Sequence, residues 1–242
     1  MSDYAYPKGY NHNLIHVTSV DALIADMEMQ VRVLDRYFNS GMSFDKDWMV
    51  KVWMSGQLPS WVEKFFAHIP WQMLAPTYCE AVKKVLAAIE DKWNFSLNTA
   101  SFPDGLVPEH FRQHEKSVGM FEKLAWRQEY NGRPRKILIV PAQFGIRHKS
   151  QSVLEVRDSM HKGEVGLGLF DVGMMILTHP ERLQDTGYLG INCPGDECFD
   201  GLPRRFTSAP VFARFSEGLR VIRYGINTPY KGYGSASAFL PQ

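Results

Sequence analysis

The first third of the chain repeats apolar residues at spacings of three and four. Val20, Leu23, Ile24, Met27, Val31, Leu34 and Phe38 fall on one stripe, which predicts an amphipathic helix over 19–39. Thr18 or Ser19 supplies an N-cap oxygen, and Asp21 and Asp26 lie toward the positive end of the helix dipole. Asn39-Ser40-Gly41 offers a left-handed stop. A second helix is expected over 45–54 and a short one over 60–68, ended by Pro70. A better-patterned helix follows over 77–93, with Ala81, Val82, Val85, Leu86 and Ile89 inward. Asn, Ser, Thr, Pro and Gly make 94–107 a loop, and Pro108 fits the first turn of a further helix running to 129.

The pattern changes after the Asn131-Gly132 turn. Lys136-Ile137-Leu138-Ile139-Val140, bounded by Pro134 and Pro141, reads as a buried strand. Segments 152–160 and 164–177 read as helices, Thr178-His179-Pro180-Glu181 as a helix start, and 188–192 as a strand. Val211 to Phe215 and Leu219 to Tyr224, joined across Ser216-Glu217-Gly218, give the clearest hairpin signal. The Gly- and Ser-rich tail at 232–238 is expected to be too small and flexible to form a core element by itself. The expected architecture is α+β: an N-terminal helical layer of about four helices over 1–130, packed with a C-terminal mixed sheet of about four strands over 131–242. The turn at 131–134 is too short for a flexible linker, so both regions are expected to form one compact unit.

Composition narrows the class. Of 242 residues, 45% are hydrophobic and 22% charged, which excludes disorder as the main state. The opening MSDYAYPKGYNHN lacks a basic start followed by an apolar run, so no secretory signal is expected. No apolar stretch reaches the ~18 residues a membrane span requires, so no membrane partner is expected. Cys79, Cys193 and Cys198 are an odd, sparse set, which points to free thiols in a reducing compartment, with the cytoplasm as default.

The complete motifs of catalysis and cofactor binding are missing. Gly166-Leu167-Gly168 has Asp171 where a dinucleotide fingerprint needs its third glycine. There is no phosphate loop and no Gly-x-Ser-x-Gly elbow. No cofactor is therefore expected, and the small residues are expected to permit close helix packing. Cys193-Pro194-Gly195-Asp196-Glu197-Cys198 places two thiols and two carboxylates within six residues. Cys193 and Cys198 are the candidate metal ligands of a metal-assisted hydrolase, with Asp196 or His179 beside them, although structural zinc normally uses two closer knuckles. His110 and His114 share a face of the expected helix, but Arg112 and Lys116 would repel a cation there, so a solvated face is the simpler reading.

Charge is more informative. Lys and Arg number 27 against 26 Asp and Glu, yet the signs are segregated. Residues 112–149 hold nine Lys/Arg against three Glu, 151–200 hold three against nine acids, and 201–242 hold six against one. Three readings follow: the blocks neutralise one another within the fold, they meet opposite patches on another subunit, or the basic blocks contact phosphates. The last reading uses Arg133, Arg135, Lys136, Arg147 and Lys149, with Tyr130, Phe144, Phe206 or Tyr224 as stacking surfaces. Trp48, Trp53, Trp61 and Trp71 crowd a Pro-broken stretch, and Trp48, Trp53 and Trp61 are the candidate protein interface.

Leu177-Thr178-His179-Pro180-Glu181-Arg182-Leu183, the Cys193 to Cys198 turn, and the closing stretch from Tyr233 to Gln242 resemble a protein family of tailed bacteriophages and prophages. The resemblance covers the C-terminal half and brings no activity with it. It implies a phage-encoded accessory protein made in the bacterial cytoplasm. The sequence thus points first to a non-catalytic binding or assembly protein, acting through a protein partner or self-association. Nucleic-acid binding and metal-assisted hydrolysis are the alternatives.

Overall fold

The computed structural model describes residues 19–41, 43–93, 95–97, 102, 104–128, 137–199 and 205–241. The first apolar stripe forms α1 (Val20–Phe38), with Ser19 Oγ accepting the Ala22 amide and Asn39 closing the helix at φ 48°. Helix α2 (Lys46–Met54) is capped by Asp45. Residues 60–68 are not helical: Lys64–His68 is strand β1, because Phe65, Phe66 and Ala67 are buried in an extended pairing with a segment far along the chain. Helix α3 (Tyr78–Lys92) follows, capped by Thr77, and all five of its expected inward residues are buried.

Strand β2 (Phe95–Leu97) and strand β3 (Phe111–Gln113) precede α4 (Glu115–Arg127). The helix expected over 108–129 therefore begins later. Its first part is drawn into a sheet, and His114 becomes the N-cap residue. His110 and His114 do not share a helix face.

Strand β4 (Leu138–Gln143) runs through Pro141 rather than stopping before it. Pro141 faces Phe65, whose carbonyl turns away to Gln30, so this pair needs no N–H from the proline. Helix α5 (Val153–Ser159) starts with a capping box between Ser152 and Glu155. The helix expected over 164–177 divides into β5 (Glu164–Gly166) and α6 (Leu169–Thr178). Then come β6 (Gly190–Asn192), β7 (Asp196–Phe199), the hairpin β8 (Phe206–Phe215) and β9 (Gly218–Gly225), and finally β10 (Tyr233–Ser235) and β11 (Ser237–Phe239).

The α+β class holds, with six helices and eleven strands among the described residues; two sheets stand where one of about four strands was expected. They form two sheets. One is ordered β1-β4-β11-β5 and is antiparallel throughout. The other is ordered β10-β6-β8-β7-β3, with β9 on the free edge of β8 and β2 on β9. The tail expected to be marginal supplies β11, at the centre of the first sheet, and buried β10 residues in the second. Pairing of β1 with β4, β2 with β9 and β3 with β7 crosses the expected division at residue 130.

Helix α6 is the hub. Every residue from Leu169 to Thr178 is buried, and the helix packs against α3, α1 and β1. Burial of each large apolar side chain contributes about 1.5–3 kcal/mol, so this helix fixes how the surrounding layers meet. Two glutamines finish the first sheet where strands do not. Gln30 of α1 donates to Phe65 O and accepts from Ala67 N, both at 2.9 Å, which closes the outer edge of β1. Gln128 does the same for Ile139 of β4, at 2.8 Å in each direction.

Candidate functional site

The N-terminal end of α6 gathers two carboxyl groups that the surrounding packing keeps from water. Asp171, in the first turn, accepts the Gly168 amide at 2.8 Å. Its other oxygen meets His68 Nε2, at the end of β1, at 3.2 Å. Asp196, at the start of β7, accepts the Leu169 amide and the Tyr78 hydroxyl, the latter at 2.8 Å. Helix dipoles favour anions at this position, but burial dominates here. It raises Asp171 to about 7, and it raises Asp196 well above the usual carboxylate range, with the Asp171 charge adding to the effect. Burial also lowers His68 to about 3. Tyr78 is pushed up by burial and by both carboxylates.

Glycine is a condition of this cluster. A Cβ on Gly168 would stand 2.6 Å from both Asp196 Oδ1 and the Tyr78 hydroxyl. One on Gly166 would stand 2.8 Å from Pro194. The small residues therefore admit the 193–196 turn, rather than a neighbouring helix as the sequence suggested. Arg157 holds that turn from outside, donating to Pro194 O at 2.9 Å and Asp196 O at 2.8 Å.

His68 and Asp171 line a cavity of about 310 Å³. Its walls are Trp71 and Met73 on one side, Leu138 of β4 at the back, and Val118, Phe121 and Ala125 of α4 on the other. These α4 positions lie on one face by helical spacing. Phe121 stacks on the His68 imidazole at 4.7 Å and 23°, and Phe170 meets it edge-on at 5.4 Å. Gln113 and Glu122 add polar atoms to the wall, and no Lys or Arg is among the described lining residues. An apolar enclosure of this size, with a few convergent polar groups, has the form of a small-molecule pocket. Chemically, a carboxyl and an imidazole in contact there can hold one proton between them and exchange it with a bound group.

No protein-family model, curated protein or solved structure matches this chain.

Trp48, Trp53 and Trp61 are half-buried against the core; Trp61 carries the Arg147 guanidinium over its ring at 4.8 Å and meets Phe239 edge-on. Arg133, Arg135, Lys136 and Tyr130 lie outside the described residues. Arg147 is spent on Glu164 at 2.9 Å, and Lys149 makes a backbone bridge to Gly234. The Arg147–Glu164 pair and the Arg112–Glu197 pair at 2.8 Å join the basic 112–149 block to the acidic 151–200 block. Cys193 and Cys198 are buried free thiols. Burial, then the charges of Asp196 and Asp171, push the Cys193 thiol well above its ordinary range. Among the described residues, no group of three His, Cys, Asp or Glu comes together in a way that would hold a metal. His179 caps the far end of α6, roughly 15 Å of helix from Asp196. Its ring packs edge-on against Phe66 and Phe144, with Nδ1 3.0 Å from Thr178 Oγ1.

Sequence reading missed His68 and Asp171. His68 fell inside a segment read as helical, and Asp171 entered only as a break in a glycine motif. One signal was present: an acid in the otherwise apolar run 165–177 needs a partner if that run is buried. Trp126 was missed as well. It is 74% exposed, off the Ser117, Met120, Leu124 stripe that α4 buries.

Proposed function

We propose that this protein binds a compact, mostly apolar molecule in the cavity over His68 and Asp171, and offers that molecule one exchangeable proton. The observation that supports this is the pairing itself. Two titratable groups at 3.2 Å, buried everywhere else, line an apolar cavity whose described walls carry no cation. A structural acid–imidazole pair has no need of an adjoining space. The ligand class is a small ring compound with one hydroxyl or carbonyl group, and the reaction class is proton transfer to or from that group. The pair supplies a group that titrates near neutrality, where a general acid or base works best.

The test uses indole and p-cresol as probes. At about ten times Kd, a bound probe raises the melting temperature of a chain this long by about 3–6 °C. Ala125→Phe fills the cavity from α4 and abolishes that shift while leaving the fold intact. An equal shift in wild type and Ala125→Phe would place probe binding elsewhere and end the proposal.

A second reading, contact with a protein partner, draws on a different observation. Trp126 is 74% exposed one helical turn beyond Glu122, and Met73, on the cavity wall, is 47% exposed. A partner's apolar side chain would enter the cavity between them, as befits the accessory role that the phage resemblance implies. Trp126→Ala would then release the partner, or dissociate a self-associated form in light scattering. A mass that stays monomeric at all concentrations removes self-association from this reading.

A further inference from the structure

A second hollow lies on the opposite sheet, where β6, β8 and β10 end. It has a volume of about 310 Å³ and is lined by Tyr188, Tyr230, Tyr233, Arg214, Phe215 and Ser216. The tyrosines form a braced cluster. The Tyr230 and Tyr233 rings lie 4.4 Å apart at 42°, and Tyr224 meets Tyr233 edge-on at 5.7 Å and 90°. Tyr233 lies close over β6 because its register partner there is Gly190; a Cβ at Gly190 would stand 2.6 Å from Tyr233 Cδ1. Tyr230 is 41% exposed, so part of its ring remains open to a ligand.

Arg214 is the one charged residue among the described residues lining this hollow. It makes no hydrogen bond or ion pair with any of them. Neither Glu217, which pairs with Arg220 at 3.4 Å, nor Asp185, which accepts the Gly187 amide at 2.8 Å, is among the described residues lining the hollow. A guanidinium without a counter-charge favours an anion, with phosphate well matched to its fork of donors. Tyrosine rings beside it favour a planar partner, since every nucleobase presents a π-face.

We propose that the Tyr230–Tyr233–Arg214 hollow binds a nucleoside phosphate, free or as one unit of a single strand, with the base against the tyrosines and the phosphate on Arg214. This goes beyond the apolar-cavity reading and does not depend on it. It also differs from the basic 112–149 surface suggested by the sequence, because Arg147 of that set is committed to Glu164.

The test is calorimetric titration of the full chain with AMP, adenosine, inorganic phosphate and an adenylate decamer. AMP is expected to bind about tenfold or more tighter than adenosine or phosphate alone. Arg214→Gln is expected to weaken AMP about tenfold and leave adenosine unchanged. Tyr230→Ala, at an exposed position where the fold tolerates truncation, is expected to weaken both. Decamer binding that is tighter than AMP and falls steeply with salt identifies a strand as the source; binding no tighter than AMP identifies the free nucleotide. Absence of AMP binding by wild type at millimolar concentration overturns the proposal. So does an unchanged AMP affinity in Arg214→Gln, and so does binding of a neutral oligosaccharide such as maltotriose in place of AMP.

Discussion

His148 and Glu164 form one buried histidine–carboxylate pair in this molecule, and His68 and Asp171 form another. Glu164 Oε1 takes His148 Nε2 at 2.8 Å, Arg147 Nε at 2.9 Å and Ser237 Oγ at 2.7 Å, while Oε2 takes the His161 amide at 3.2 Å. Asp171 has His68 at 3.2 Å and the Gly168 amide at 2.8 Å, with no Lys or Arg among the described residues that line its cavity. Burial raises both carboxyl groups. At Glu164, hydrogen bonds from His148, Arg147 and Ser237 outweigh that effect and hold the group at about 2. At Asp171 nothing outweighs it, and the group rises to about 7. Similar chemistry at similar depth thus gives an ion in one place and a shared proton in the other, and the number of donors decides which. The saturated pair ties β5 to β11 and to the turn before α5. The undersupplied pair faces a cavity, which is where a perturbed group has something to act on.

The strongest way to break this contrast is Glu164→Gln. It leaves Arg147 and His148 facing a neutral amide inside the protein, and removing one partner of a buried ion pair typically costs about 3–5 kcal/mol. Urea unfolding at pH 7 measures it; a loss under about 1 kcal/mol, the range of exposed pairs, would show that the Glu164 cluster contributes no more than a surface ion pair. The pH dependence has a definite sign. Glu164 lies below its ordinary 4.5, so its contribution is complete above pH 4.5 and disappears as pH falls through about 2. The variant lacks that acid limb. Ser237→Ala is a smaller step on the same side. It removes one of the donors and an acceptor for Gln143 Nε2 at 2.9 Å, for an expected loss of about 2 kcal/mol.

The sequence showed neither pair of this contrast, and it showed the elements that carry them unequally. Helices α1 and α3 were legible because their apolar residues recur within a few positions and their caps, Ser19 and Thr77, stand next to them. The β8–β9 hairpin was legible because its partners are adjacent in the chain. Strands β1, β3 and β11 were not, since each is stabilised by residues distant in sequence: Phe66 by Val140, Arg112 by Glu197, Ala238 by Ala142 and Val165. The candidate site inherits that difficulty. His68 is on β1, Asp171 on α6, Tyr78 on α3 and Asp196 on β7, so the side-chain contacts His68–Asp171 and Tyr78–Asp196 each join residues far apart in the sequence. The Cys193 to Cys198 motif, conspicuous in the chain, contributes Asp196 to the cluster while its thiols stay buried and free.

The finest test separates the two members of the neutral pair. Asp171 alone, raised from 3.8 to about 7, gives stability that is complete below pH 3.8 and is lost as pH rises through about 7. His68 alone, lowered from 6.5 to about 3, gives stability that is complete above pH 6.5 and is lost as pH falls through about 3. Between pH 3.8 and 6.5 these trends oppose. The folded pair holds one proton there, and the unfolded chain also holds one, on the histidine. The pair therefore adds almost no slope to wild-type stability in that window. Each single variant uncovers the slope of the residue that remains. Asp171→Asn, whose amide replaces the protonated acid toward both Gly168 and His68, loses stability as pH falls below 6.5. His68→Gln loses it as pH rises above 3.8. Each slope approaches about 1.4 kcal/mol per pH unit, the value for one proton. Urea midpoints measured at intervals across the window supply both signs. Parallel or flat profiles in the two variants would show that burial does not shift His68 and Asp171 in opposite directions, and the proton offered to a ligand would have no holder.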